Sequence, residues 1–160
     1  MMLRSLHNDR IMKHLNEIKI AICSDHAGYD LKQKVIDYLH NKKVKALHDF
    51  GAYTSESSDY PDYAHPMARS VETGEFDFGI SICGSGNGIS MTVNKHAGIR
   101  AGLCWTPEIA RLARLHNNAN VLSLPARFVS ESEAYEMIDV FFSTVFEGGR
   151  NQQRIDKIPV

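Results

Sequence analysis

The sequence of 160 residues has almost no net charge, because 18 lysines and arginines balance 19 aspartates and glutamates. No run of like charge interrupts this balance. Nucleic-acid-binding surfaces and charged tails need one sign of charge concentrated in one place. We therefore expect no nucleic-acid partner and look instead for a small molecule.

The sequence also lacks a long apolar run. Residues 1–17 mix charged side chains such as Arg4, Asp9 and Lys13 with scattered apolar ones, whereas signal peptides and membrane spans are continuously apolar. This pattern predicts no membrane partner. Residues 1–17 are predicted to be an N-terminal extension, and 18–160 to be a single domain with one hydrophobic core.

Cysteine is scarce, with three residues at Cys23, Cys83 and Cys104. An odd number cannot pair completely, and two of the three lie within apolar runs that are typical of strands. Secreted disulfide frameworks use even sets of cysteines. We therefore expect reduced thiols and a cytoplasmic protein.

Short apolar runs alternate with amphipathic segments along the whole chain. This alternation predicts an α/β fold, a three-layer α/β/α Rossmann-like sandwich with a doubly wound parallel sheet of about five strands. One helix is predicted over 63–73, with Pro66 in its first turn, and the longest helix over 131–146. The strands are predicted at 18–23, 44–50, 76–82, 99–105 and 120–124.

The segment 81–88, with the sequence SICGSGNG, places the thiol of Cys83 before three alternate glycines. Glycines at a strand-to-helix junction let backbone N–H groups turn toward a ligand, and a helix N-terminus favours an anion or a thiolate. A buried structural cysteine beside an ordinary turn is the alternative. A dinucleotide fingerprint fits poorly, because it would need a glycine at Ile89.

Polar residues follow two other predicted strands. Asp25 and His26 come after the first strand, and Arg127 comes after the fifth. Ligands of such sheets bind beyond the carboxyl ends of the strands, where these residues and Cys83 can converge. Asp25 could equally cap the following helix. His116, at the end of a predicted helix, could equally satisfy the last carbonyl groups of that helix.

Two arginines stand four residues apart near the C-terminus, at Arg150 and Arg154, after the glycine pair 148–149. If this segment is helical, both guanidinium groups lie on one face. Paired guanidinium groups suit a phosphate, which accepts parallel hydrogen bonds. A solvated polar tail is the alternative.

Taken together, six segments resemble the type B ribose-5-phosphate isomerases, a family that includes isomerases of allose and galactose phosphates. The resemblance covers about residues 19–154. It implies an aldose–ketose isomerase acting on ribose 5-phosphate and ribulose 5-phosphate, without cofactor. The segments are 24–28 (SDHAG), 59–64 (DYPDYA), 82–89 (ICGSGNGI), 94–95 with 98–101, 116–122 and 147–150.

The resemblance also implies residue roles. Cys83 is the base that carries a proton between C1 and C2 of the sugar, and His116 assists ring opening with Asp25 nearby. The enediolate oxygen is held by the loop of Gly84, Ser85, Gly86, Asn87 and Gly88. Phosphate contacts are implied for His26, Arg127, Arg150 and Arg154, and a substrate contact for Asn117.

Three positions differ from those of relatives. Ser85 stands where many relatives have threonine and keeps the hydroxyl, whereas Asn87 stands where some members have an apolar residue and leaves the sugar preference open. Ile89 occupies the place of a glutamate that some relatives use as base, so Cys83 is left with that role. No metal is expected, because the histidines are not at ligand spacing. The resemblance further implies a homodimer, or a dimer of dimers, with sites built across the interface.

Overall fold

The computed structural model describes residues 14–160 of the chain. In that part, five strands alternate with six helices. The strands are β1 (Lys19–Ser24), β2 (Ala46–Asp49), β3 (Phe78–Cys83), β4 (Ala101–Leu103) and β5 (Val121–Pro125). The helices are α1 (Tyr29–Asn41), α2 (Tyr60–Glu72), α3 (Asn87–Val93), α4 (Pro107–Asn117), α5 (Glu131–Ser143) and α6 (Arg150–Ile155).

The described strands form one parallel sheet in the order β2-β1-β3-β5-β4. The central strands β1, β3 and β5 are buried almost throughout, because helices cover both faces of the sheet. Helices α1, α4 and α5 pack on one face, and α2 and α3 pack on the other. The predicted doubly wound α/β/α sandwich is therefore confirmed.

Helix α2 begins at Tyr60, three residues earlier than the pattern predicts. The prediction that Pro66 lies in the first turn is wrong, because Pro61 occupies that turn and Pro66 lies inside the helix. A proline in the first turn costs no helical hydrogen bond, so Pro61 is favourable at the start. Both Pro61 and Pro66 could have marked the start of this helix, and the prediction placed the start at the wrong proline.

Several predicted elements are shorter in the structure, including β2, which spans Ala46–Asp49 instead of 44–50. Strand β4 keeps only three residues, at the edge of the sheet, where it has one neighbour. Helix α5 ends at Ser143 and has 13 residues, as do α1 and α2. The hydroxyls of Ser143 and Thr144 both donate to the carbonyl of Val140, at 3.3 and 2.6 Å. Such bonds compete with the helical backbone pattern, and Thr144 is already extended.

The described part of the predicted extension joins the folded domain. Residues 1–13 lie outside the described residues, whereas Leu15–Glu17 form a short 3-10 helix. Leu15 packs against the core, and its carbonyl accepts the N–H of Lys45 at 3.1 Å. Among the described helices, none is both long enough and apolar enough to cross a membrane.

Helix α1 buries a charge that the apolar pattern did not predict. The side chain of Lys32 is fully buried. Its ammonium group donates to both carboxylate oxygens of Asp49, at 2.6 and 2.8 Å, and to the carbonyl of Ala52. All three protons of the ammonium group are thereby used. The ion pair joins the start of α1 to the segment that follows β2.

We expect Lys32→Met to lower the free energy of unfolding by about 3 kcal/mol, because the remaining charge of Asp49 loses its partner in a mostly buried site. Urea unfolding measures the change. Lys34→Met is the matched control on the same helix, since Lys34 pairs with Glu131 on the exposed surface. Its loss should be much smaller, because exposed ion pairs contribute little to stability. Equal losses in both variants would show that burial does not increase the contribution of the Lys32 pair to stability.

Candidate active site

The carboxyl ends of β1, β3 and β5 lie side by side, because these strands are neighbours in the sheet. Backbone hydrogen bonds continue beyond the strand ends. The N–H of Asp25 donates to the carbonyl of Ile82 at 3.2 Å, and the N–H of Ala126 donates to the carbonyl of Cys83 at 2.9 Å. Asp25, Cys83 and Arg127 therefore leave the sheet at one place, which we call the carboxyl edge.

The loop directly after Cys83 turns the chain from β3 into α3. Gly86 has a φ of 75°, a left-handed conformation that favours glycine, and it turns the chain into α3. Within the described part of the chain, the N–H groups of Ser85, Gly86 and Gly88 donate to no acceptor. The N–H of Asn87 meets the Ser85 hydroxyl at 3.3 Å. The unpaired N–H groups beside Cys83 form a cradle for a negatively charged oxygen.

Arg127 lies directly on this loop. A Cβ atom built at Gly84 would lie 3.4 Å from three atoms of the Arg127 side chain, so the arginine packs directly against this part of the loop. The backbone N–H of Arg127 also donates to the carbonyl of Gly84 at 3.0 Å. The guanidinium group therefore places a positive charge and parallel donors beside the cradle.

Asp25 and His26 are both held in place by backbone groups. Asp25 is buried, and its Oδ1 accepts the N–H of Gly28 at 3.0 Å. Gly28 itself is the N-cap residue of α1, so Asp25 stabilises the turn before the helix rather than capping it directly. The ring Nδ1 of His26 lies 3.2 Å from both the nitrogen and the carbonyl oxygen of Ser58. The Ser58 hydroxyl also accepts the N–H of His26 at 3.1 Å.

The thiols of Cys23 and Cys104 are poor candidates for the reactive base. All three cysteines are unpaired and buried, with Cys83 4% exposed and Cys23 and Cys104 completely enclosed. Burial raises the pKa of both of these thiols, that of Cys104 to about 12. Neither is therefore a useful base near neutral pH, because the thiolate is the reactive form. Cys83 differs in position, since it ends β3 and adjoins the cradle.

His116 and Asn117 lie at the opposite edge of the sheet, the amino edge. Helix α4 follows β4 and precedes β5, so it starts at the carboxyl edge and ends at the amino edge. Its 11 residues extend about 16 Å, at a rise of about 1.5 Å per residue. His116 and Asn117 are the last two residues of this helix. One chain therefore does not bring them to its own Cys83.

Arg150 and Arg154 also belong to the amino edge. The segment is helical, as their spacing required, and both side chains are exposed. Helix α6 packs against α4, and the N–H of Glu147 donates to the carbonyl of Leu115 at 3.0 Å. The structure thus divides the predicted site residues into a carboxyl-edge group and an amino-edge group. The first contains Asp25, His26, Cys83, Gly84, Ser85, Gly86, Asn87, Gly88 and Arg127, and the second contains His116, Asn117, Arg150 and Arg154.

Arg100 fixes the end of α4 on which His116 stands. Its guanidinium group donates to the carbonyls of Asn117 and Asn118, at distances between 2.9 and 3.2 Å. Burial lowers the pKa of this arginine. A cavity of about 310 Å³ opens beside it and is lined by Asn94, Ile99, Arg100, Ala101, Gly102, Ala113, Asn117, Ala119 and Ile158. The cavity has no thiol, imidazole or carboxylate in its wall, so it is not the site of proton transfer.

Three side chains at the carboxyl edge were not predicted. A Cβ atom at Gly88 would lie 2.5 Å from the ring of Tyr60, so this ring covers one side of the cradle. Ser58 holds His26, and the hydroxyl of Ser24 is buried with no hydrogen-bond partner among residues 14–160. Tyr60 lies in the segment 59–64, which carried the resemblance but no assigned role. Ser58 gave no signal, because it is 32 residues from His26 in the sequence.

The described residues of the site supply organic functional groups. Between residues 14 and 160, no group of three or more histidines, cysteines, aspartates and glutamates is placed to hold a metal ion. The available groups are a thiol, a carboxylate, two imidazoles, three guanidinium groups and the N–H groups of the cradle. These groups suit proton transfer and the binding of anions.

Known proteins resemble this chain over nearly its whole length. Ribose-5-phosphate isomerase B of Escherichia coli (strain K12) is 44% identical over 140 residues, covering 88% of this chain and 93% of that protein. The crystal structure of the Thermotoga maritima ribose 5-phosphate isomerase superposes with a TM-score of 0.86 at 51% identity, covering 88% of this chain and 97% of that one.

A ligand-bound structure is also similar. Ribose-5-phosphate isomerase B from Mycoplasma genitalium with bound ribulose-5-phosphate has a TM-score of 0.83 and 44% identity, covering 88% of this chain and 93% of that one. The family described as Ribose/Galactose Isomerase matches residues 20–158. That match includes both groups of site residues. The chain therefore belongs to the ribose/galactose isomerase family.

Proposed function

We propose that this chain is an aldose–ketose isomerase that interconverts D-ribose 5-phosphate and D-ribulose 5-phosphate, a reaction of the pentose phosphate pathway. The observation that carries the proposal is the placement of Cys83 beside a cradle of unpaired N–H groups. Family membership and the relative with bound ribulose-5-phosphate support the substrate. Allose 6-phosphate and galactose 6-phosphate are the alternative substrates, because the description of the family names galactose as well as ribose.

The reaction needs one base and a place for negative charge. The Cys83 thiolate removes the proton from C2 of the open-chain aldose, and the electron pair moves to the carbonyl oxygen on C1. The resulting enediolate is stabilised by the N–H groups of the cradle, with the Ser85 hydroxyl beside them. Each fixed donor at such an oxygen contributes about 10²- to 10³-fold in rate. The thiol then returns the proton to C1, while the hydroxyl on C2 gives its proton to the oxygen on C1 and becomes the carbonyl, so no step requires a metal.

A complete site in this proposal needs two chains. The base and Asp25 lie at the carboxyl edge, whereas His116, which we assign to ring opening, lies at the amino edge. A second chain that sets its amino edge against the carboxyl edge of the first brings both together. His26 and Arg127 of one chain then share the phosphate with Arg150 and Arg154 of the other. We accordingly propose a homodimer, with a dimer of dimers as the larger alternative.

The proposed compartment follows from the cysteines. All three are unpaired thiols, and two of them are fully buried in the core. Reduced cysteines are typical of reducing compartments, in which disulfides do not persist. We place the enzyme in the cytoplasm.

Cys83→Ala should lower isomerase activity by about 10²- to 10⁴-fold, because the positioned base is lost. The variant should still bind ribulose 5-phosphate, since every proposed phosphate contact remains. Coupled turnover assays and titration calorimetry measure the two effects. Cys104→Ala is the matched control, because this thiol is fully buried and belongs to the core cluster on the other face of the sheet from Cys83. Near-normal turnover of Cys83→Ala would remove the thiol from the mechanism.

Refolding Cys83→Ala together with His116→Ala should restore activity that neither variant has alone. In a mixed dimer with shared sites, one site carries both substitutions and the other carries neither. Random pairing of equal amounts therefore yields about a quarter of the wild-type activity. Cys83→Ala mixed with Arg127→Ala is the control and should stay inactive, because both residues come from the same edge. Absence of recovery in the first mixture would refute the two-chain site.

Replacing Arg150 and Arg154 together with alanine should raise KM for ribose 5-phosphate and also lower kcat. Phosphate binding far from the reacting carbons can hold the sugar in the geometry that reacts. Unphosphorylated ribose is the internal control, because its slow turnover should change little. Lys157→Ala controls for loss of charge in the same exposed tail. An equally steep loss with ribose would mean that the arginines support the fold or the dimer instead.

A further inference from the structure

We propose that Glu147 is a positioning residue that orients the imidazole of His116 for opening the sugar ring. The inference rests on the proposed function, in which His116 performs that step. The carboxylate Oε2 of Glu147 lies 3.7 Å from Nε2 of His116, which is an ion-pair distance. No other charged partner of the His116 ring occurs among residues 14–160 at that range.

Two hydrogen bonds hold Glu147 in place. The backbone N–H of Glu147 donates to the carbonyl of Leu115, the residue directly before His116. Its Oε2 also accepts a hydrogen bond from Nδ2 of Asn151 at 3.1 Å, and Asn151 is buried. The carboxylate is thereby tied to the helix that carries the imidazole and to the helix that carries the two arginines.

The turn between Glu147 and Asn151 brings the Asn151 side chain back to the Glu147 carboxylate. Gly148 and Gly149 have φ angles of 72° and 59°, in the left-handed region that favours glycine. The N–H of Asn151 then donates to the carbonyl of Gly148 at 3.2 Å, which closes the turn. The glycine pair thus serves the placement of Glu147 as well as the start of α6.

Ring opening explains why such a carboxylate is useful. The step takes a proton from the anomeric hydroxyl and gives one to the ring oxygen, so the imidazole carries positive charge between the two transfers. A carboxylate 3.7 Å from one ring nitrogen stabilises that transient charge and favours the ring orientation in which this nitrogen faces it. Nε2 faces Glu147, which leaves Nδ1 to exchange protons with the sugar.

Fold stability does not account for this pair. The side chains of His116 and Glu147 are 44% and 54% exposed in the chain. Exposed ion pairs contribute little to the stability of a protein. Glu147→Gln should therefore leave a folded protein, and glutamine keeps an acceptor for Asn151 while it removes the charge.

The test separates ring opening from proton transfer. Ribose 5-phosphate is mostly a furanose and must be opened, whereas ribulose 5-phosphate cannot close that ring. For Glu147→Gln we expect ribose 5-phosphate turnover to fall by about 10- to 100-fold, the usual cost of losing an outer partner of a functional histidine. Exchange of the C1 proton of ribulose 5-phosphate with solvent deuterium, followed by NMR, should stay near the wild-type rate. His116→Asn should show the same split, and adding Glu147→Gln to it should cause no further loss.

Glu131→Gln is the matched control. Glu131 begins α5 and pairs with Lys34 at 2.9 Å on the exposed surface, so the variant removes an equal charge from an exposed ion pair that does not involve His116. Both rates should stay unchanged in this variant. Wild-type rates for Glu147→Gln in both assays, or equal losses in both, would overturn the inference. Failure of the wild-type chain to convert ribose 5-phosphate, or of His116→Asn to show the split, would instead overturn the proposed function.

Discussion

Parallel pairing of the strands is the constraint on which the rest of this molecule depends. After each strand the chain must return through a helix before the next parallel strand can begin. Residues that follow strands therefore collect at one edge of the sheet, and residues that end the helices collect at the other. Cys83 and its cradle belong to the first edge, whereas His116 belongs to the second. The division of the site follows directly from this topology.

The buried ion pair of Lys32 and Asp49 supports the carboxyl edge. It holds the segment after β2, whose Gly51 and Ala52 form two short backbone bonds with Ser24, at 2.6 and 2.7 Å. These bonds extend the pairing of β1 up to the residue before Asp25. A fully buried ammonium group is costly unless it is completely paired, and this one is paired on all three protons. The charge therefore fixes the backbone from which Asp25 projects.

Local chemistry explains what could be predicted from the sequence. Alternating apolar runs indicated the sandwich, and the glycines after Cys83 indicated the cradle, because both signals lie within a few neighbouring residues. The burial of Lys32 could not be predicted, since its partner Asp49 is 17 residues away and comes from another element. Likewise, the turn that places Glu147 beside His116 joins residues 31 positions apart in the sequence. Long-range pairing of polar groups leaves no periodic pattern.

The amino edge combines exposure with rigidity. Arg100 holds the last carbonyls of α4, and Arg114 donates to the Asn118 side chain and the Ala119 carbonyl, at 2.8 and 2.6 Å. Burial lowers the pKa of Arg114 to about 10, which is still high enough for the guanidinium group to stay charged at neutral pH. A surface that is already ordered loses little conformational entropy when it binds. Under the proposed two-chain site, this edge can therefore complete the site of a second chain without first being reorganised.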